Sequence, residues 1–221
     1  MKYAIDKVAG KRYSIAEWKI HCENRTIGRC EVCGEDVYIR AKETTSTAAH
    51  FAHYQGTKCP TKAGNRTPFL NLRPSAIDEK NSLEIRQELE RQLYKVYNKC
   101  SALTGGLRIA TFRKLIQNCH QRNVWAYKGL TFKYVPYLLL ASHEKFVKED
   151  LTSTAQINFY FTLAPAIRYS DDLWNQQKNV AQSIWKVCPD GEIINYPIDA
   201  DLDVEPEWFN STRKQIKKMI F

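Results

Sequence analysis

An α+β chain is predicted, a small N-terminal β-unit followed by a mixed domain of helices and antiparallel strands, and three features of the sequence predict it. Residues 1–60 hold short alternating segments and two tight cysteine-bearing turns. Residues 78–121 repeat their apolar positions at spacings of three and four, the period of a helix with one buried face. Residues 156–196 alternate apolar and polar positions around Pro189-Asp190-Gly191, a strong hairpin signal. The stretch 61–76 carries two prolines and few periodic apolar positions, so it reads as a linker or extended strap. That gives one unit over residues 1–74, linker included, and a second over residues 75–221.

In chain order, Lys2–Asp6 reads as a strand, Ala9-Gly10 as its turn, and Arg12–Ile15 as the return strand, with a helical turn or irregular lead-in over Ala16–Cys22. Cys30–Gly34 forms a knuckle, Val37–Arg40 a strand, Lys42–Thr47 a polar loop and Ala48–Tyr54 a second strand. In Asp78–Cys100, Ile85, Leu89, Leu93, Val96 and Tyr97 share one helix face. Acidic residues lie toward its start and basic ones toward its end, as the helix dipole favours. Arg108–Gln121 is a second helix lined by Ile109, Phe112, Leu115, Ile116 and Cys119. Residues 123–141 are β-branched and aromatic and read as strands around Gly129, with a helix over Tyr137–Lys148 as the alternative. Gln156–Leu163 reads as a strand, Asp171–Gln182 as a short helix, 183–187 and 192–196 as the hairpin, Asp199–Glu207 as an acidic loop, and Pro206–Phe221 as a basic terminal helix.

The chain has 221 residues, 43% hydrophobic and 26% charged, the balance of a folded protein and not of a disordered one. Its formal net charge is +9, from 33 Lys and Arg against 24 Asp and Glu, which favours polyanionic partners. The first residues have scattered charges and no apolar core of leader length. The longest apolar run, Val135–Ala141, is too short for a bilayer. Seven cysteines, three of them at metal-ligand spacing, lead us to expect a reducing cytosol, no membrane, and thiolates that serve a metal ion.

Cys30-x2-Cys33 followed by Gly34 is a turn that brings two sulfurs to one side, because Gly34 tolerates the backbone conformation required. His50-Phe51-Ala52-His53 and then Cys59 follow at the separation of a β-hairpin, which would carry a second knuckle back to the first. In an extended strand positions 50 and 53 face opposite sides, so one histidine ligates. We take Cys30, Cys33, His53 and Cys59 as the ligands of a structural Zn2+, with His50 as the alternative to His53; buried thiols beside a surface histidine pair are the competing reading. The whole is then a zinc-ribbon β-hairpin unit. Cys22, Cys100, Cys119 and Cys188 are scattered and read as buried free thiols, and His120 and His143 as isolated surface or core histidines on helices.

Residues 29–40 (RCEVCGEDVYIR) together with Ala49–Tyr54 (AHFAHY) resemble the N-terminal zinc ribbon of the competence protein CoiA-like family, which carries a CPxCG knuckle, a strand and an HFAH signature. The likeness covers about residues 1–60, with a fainter echo over Asn81–Tyr94. It implies a bacterial or phage setting in competence, mobile-element traffic or defence. Members of that family often continue into a restriction-nuclease-like domain, which needs an acid on one strand and acid-x-Lys on the next. Here Asp171-Asp172 precedes Trp185-Lys186 without an acid two residues before the lysine.

Two basic sets lie on single predicted helices near aromatic residues: Arg108, Arg113, Lys114 and Arg122 near Trp125 and Tyr127, and Arg213, Lys214, Lys217 and Lys218 near Trp208. Such helices grip phosphates while rings stack on bases, although a solvated helix face has the same composition. The sequence therefore predicts a non-enzymatic, zinc-binding accessory protein that contacts nucleic acid, DNA foremost. The alternatives are a divergent metal-dependent nuclease using Asp171, Asp172 and Glu192, and a subunit that binds only a protein partner.

Overall fold

The computed structural model describes residues 1–22, 24–40, 48–153, 156–175, 182–198 and 206–220. The N-terminal strands β1 (Tyr3–Ile5), β2 (Arg12–Ser14), β3 (Ile27–Arg29), β4 (Asp36–Arg40) and β5 (His50–His53) form one antiparallel sheet in the order β2-β1-β3-β4-β5. Helix α1 (Ile15–His21) starts in a reciprocal cap: Ser14 Oγ accepts from the Glu17 amide, and the Glu17 carboxylate accepts from the Ser14 amide at 2.7 Å. α1 buries Trp18, whose ring meets Phe51 of β5 edge-on at 5.1 Å and whose Nε1 donates to the Arg25 carbonyl at 2.6 Å. A β-carbon at position 28 would lie 2.7 Å from the Trp18 ring, so β3 passes the indole only because Gly28 has no side chain.

Of the two readings of residues 61–76, the stretch after β5 is a strap and not a loose linker. A 3-10 turn (Ala63–Asn65) and a short helix α2 (Thr67–Leu70) bracket Arg66, which is 4% exposed. Its guanidinium lies over the Tyr160 ring at 4.5 Å and donates to the carbonyls of Phe161 (3.1 Å), Ala141 (3.4 Å), His143 and Glu144. Burial lowers the Arg66 pKa to about 10, still far above neutrality, so the charge faces those carbonyls at any physiological pH. The Tyr160 hydroxyl in turn donates to the Thr61 carbonyl at 2.8 Å.

Helix α3 (Glu79–Thr104) is capped by the Asp78 carboxylate and ends at Gly105 in the left-handed conformation, φ 81°. It packs against α5 (Val135–Ala141) and α6 (Asn210–Ile220), and α4 (Ile109–Gln121) packs against both of those helices. Strands β6 (Tyr160–Thr162), β7 (Ser183–Val187) and β8 (Ile193–Pro197) form a second antiparallel sheet in that order. Buried residues from Ala4 to Ile220 join in a single apolar cluster. Among the described residues, no helix is long and apolar enough to cross a membrane.

Several elements depart from expectation. Residues 123–141 form 3-10 turns at Val124–Ala126 and Phe132–Tyr134 and the helix α5, and not strands. Every residue of α5 is buried, so no polar side marks its period, and Pro136 in the first turn presets a helical φ without needing a donor. The strand expected over 156–163 shortens to β6 because Asn158 turns to φ 62°; Phe146 and Phe159 form an isolated bridge instead. Asp171–Gln182 begins as a 3-10 turn, Ser170–Leu173, and its continuation over 176–181 lies outside the described residues. The loop expected at Lys42–Thr47, residues 199–205 of the acidic loop, and Phe221 lie outside them as well.

Truncating Arg66 strands several buried carbonyls that share one donor group. Arg66→Ala is expected to cost about 3 kcal/mol in urea unfolding, whereas Lys62→Ala, on the exposed side of the same strap, stays within about 0.5 kcal/mol.

Candidate metal centre

The knuckle follows from local hydrogen bonding. Beyond β3 the chain reverses: the Cys30 amide donates to the Glu35 carbonyl at 2.8 Å and the Gly34 amide to the Cys30 carbonyl at 2.9 Å. Gly34 closes the turn at φ 73°, a conformation that favours glycine. The Val32 amide points at Cys30 Sγ, 3.4 Å away, a donor suited to a thiolate.

β5 supplies the histidine by its pleat. Phe51 and His53 share the buried face while His50 and Ala52 face the other way, as the period of two requires. Register places His53 opposite Val37 and His50 opposite Arg40. His53 is 8% exposed and turns Nε2 to within 3.4 Å of Cys33 Sγ; His50 Nδ1 lies 3.0 Å from the Ala48 carbonyl, away from the sulfurs.

The fourth ligand stands on a loop held by its own polar side chains. Thr57 Oγ1 accepts from the Cys59 amide at 3.1 Å and donates to the Glu35 carboxylate of the first knuckle. Asn65 Nδ2 donates to the carbonyls of Thr57 (2.8 Å) and Cys59 (3.0 Å), and Thr61 Oγ1 lies 3.2 Å from Cys59 Sγ. The sequence reading missed these supports; two threonines placed symmetrically around Cys59 are the only signal it offered.

The outcome is a closed cluster. The ligand atoms of Cys30, Cys33, His53 and Cys59 all lie within 4.8 Å of one another, and Cys30 Sγ is 3.9 Å from Cys59 Sγ. A tetrahedral ion with metal–sulfur bonds of ~2.3 Å and a metal–nitrogen bond of ~2.0–2.1 Å has S···S edges of about 3.8 Å and S···N edges of about 3.6 Å. The two contacts above, 3.9 Å and 3.4 Å, match those edges. The thiols also compete for protons. Hydrogen bonds from Cys30 and Cys33 hold the Cys59 thiol far below the ordinary range, while bonds to Cys33 and Cys59, and burial, hold Cys30 far above it. A cation at the centre replaces that proton sharing with direct charge neutralisation. With four protein ligands the set could hold a metal ion and leaves it no open position.

Other expected site residues stand apart. Asp172, 1% exposed, accepts from the amides of Arg168 (2.8 Å) and Tyr169 (3.1 Å), and Asp171 accepts from the amide and hydroxyl of Ser75, both at 2.6 Å. Glu192 sits in the β7–β8 turn, and no metal-capable cluster among the described residues includes any of these three acids. In the basic sets, Arg113 donates to Gln215, Arg122 to the Leu72 carbonyl (3.3 Å), Arg213 to the Glu90 carbonyl, and Lys217 pairs with the Glu90 carboxylate. Lys114, Lys214 and Lys218 are exposed and have no partner among the described residues. Trp125 and Tyr127 are buried and unavailable for stacking, whereas Trp208 is 56% exposed. The four scattered cysteines are buried and free. Trp125 Nε1 donates to His120 Nδ1 at 3.3 Å, and His143 lies 3.4 Å from Asp150, in the turn after α5 and not within a helix.

Comparison of the chain with protein-family models, with curated proteins and with solved structures returns no match.

Loss of one ligand uncouples two turns that hold each other. Cys59→Ser or His53→Ala is expected to abolish metal retention on gel filtration and to lower stability by about 3 kcal/mol or more. His50→Ala keeps the metal and changes stability by no more than about 0.5 kcal/mol.

Proposed function

We propose that the Cys30, Cys33, His53 and Cys59 cluster binds Zn2+ in a structural role, and that the protein is a non-enzymatic accessory factor that binds nucleic acid, with DNA as the expected partner. The observation that carries the zinc reading is the gathering of three sulfurs and one imidazole nitrogen within 4.8 Å of one another, two of the separations having the length of a tetrahedral edge. That donor set suits an ion without geometric preference of its own and excludes the hard cations that prefer oxygen. A closed ligand shell offers no site for an activated water, so the chemistry at this centre is structural.

Nucleic-acid binding is supported by the +9 charge and by exposed, unpaired lysines on α4 and α6. Trp208 stands at the start of the same C-terminal helical segment, edge-on to Tyr94 and Tyr97 at 6.1 Å each, with more than half its surface open to a stacking base. The resemblance of residues 29–54 to the CoiA-like ribbon adds DNA handling as the context. The nuclease reading has less support, because Asp171 and Asp172 are committed to backbone amides of their own neighbourhood.

Elemental analysis is expected to give one zinc per chain. Oligonucleotide affinity is expected to fall steeply with salt, and Lys114→Ala, Lys214→Ala and Lys218→Ala each to lower the slope of log affinity against log salt by about one where the lysine meets a phosphate. Absence of salt-dependent affinity would favour a protein partner instead. Magnesium- or manganese-dependent cleavage abolished by Asp171→Ala would favour the nuclease.

A further inference from the structure

Two clefts adjoin along the strap between the ribbon and the helical body. One, of about 390 Å³, is lined by Asn71, Arg73, Arg122 and Tyr127 among others; the second, of about 530 Å³, is lined by Lys58, Asn65, Leu72 and Arg168 among others. Leu72, which lines the second, lies in the chain between Asn71 and Arg73 of the first, and its carbonyl accepts from Arg122 (3.3 Å) and from the Tyr127 hydroxyl (3.1 Å), both of the first. Four cations thus border this pair of neighbouring clefts, together called the trough, and none of the described residues lining either cleft is acidic.

Two of the cations, Arg73 and Arg168, are held at the backbone. Arg73 gives its carbonyl to the Ser170 amide at 2.9 Å, and the Arg168 amide donates to the buried Asp172 carboxylate at 2.8 Å. Asp171 fixes the strap at Ser75, and the Ala76 carbonyl accepts from the Lys128 amide at 3.1 Å. The acids of this region therefore pin the segments that carry the arginines. Arg73, Arg168 and Lys58 are exposed, and their side chains make no hydrogen bond or ion pair among the described residues. Segments held at the backbone, with donors left unsatisfied at the side-chain tips, suit phosphate recognition, since the chain need not reorder on binding.

We propose that this trough is a phosphate-binding site, with Arg73, Arg122, Arg168 and Lys58 as its donors, and that the phosphates of a nucleic-acid strand crossing the strap fill it. The second half of that statement rests on the nucleic-acid reading above; the first half does not. Free phosphate compounds offer the same chemistry, so the test has one arm for each source.

The test uses the full zinc-loaded chain with a labelled 20-nucleotide single strand, its duplex, and pyrophosphate alone. Arg73→Ala combined with Arg168→Ala is compared with Lys11→Ala combined with Lys19→Ala, a matched loss of two exposed charges on the ribbon. The arginine pair is expected to weaken oligonucleotide binding at least tenfold and to lower the salt slope by about two, with the lysine pair changing affinity by less than about threefold. Equal effects of the two pairs, or none from the arginines while the wild type binds, overturn the trough and leave nucleic-acid binding standing. Pyrophosphate binding that needs Arg73 and Arg168, with no oligonucleotide affinity in the wild type, keeps the trough and overturns the nucleic-acid reading. Binding of neither probe overturns both.

Discussion

Three sulfurs and one imidazole nitrogen converging on a single point are the constraint on which the N-terminal half depends. The strands around them are three to five residues long, too short to specify a sheet by pairing alone. Their register brings Cys30 and Cys33 at one end and His53 and Cys59 at the other into one cluster that could hold a metal ion. A slip of one residue between β4 and β5 would turn His53 outward and bring His50 toward the core with the wrong spacing to Cys59. The apolar side of the same sheet adds Trp18 and Phe51, so ligation and packing select the same register.

The constraint extends beyond the ribbon through a short path. Cys59 is held by Thr57 and Asn65, the Thr61 carbonyl accepts from Tyr160, and Arg66 reaches the carbonyls of β6 and of the turn after α5. Lys58, at the edge of the trough, lies between Thr57 and the ligand Cys59. The Cys30, Cys33, His53 and Cys59 cluster is thus tied through its own loop to the residue that borders the second cleft.

Parts of this arrangement were legible in the sequence because their chemistry is local. Cys-x2-Cys-Gly, the HFAH string and Cys59 identify the ligand set, and strand alternation separates His53 from His50. The helices α3 and α4 show one polar face each, so their periods are plain. Residues 123–141 were not legible, because α5 at their end is buried on all sides and has no polar face to mark its period, and the aromatic content of the stretch imitates a strand. The strap was one of the two readings the sequence allowed, but its anchor was not legible: the burial of Arg66 depends on carbonyls from residues 141, 143, 144 and 161, and no local pattern announces so distant a set of acceptors. The basic helices showed the same limit, since a list of charges does not reveal that Arg113, Arg213 and Lys217 face Gln215 and Glu90.

X-ray absorption at the zinc K-edge on the purified protein tests the central claim most directly. The account predicts a first shell of three sulfurs at about 2.3 Å and one nitrogen at about 2.0–2.1 Å, with no oxygen neighbour. A shell containing water or carboxylate oxygen, or a protein that holds no metal yet keeps its ribbon folded in strong chelator, would contradict it.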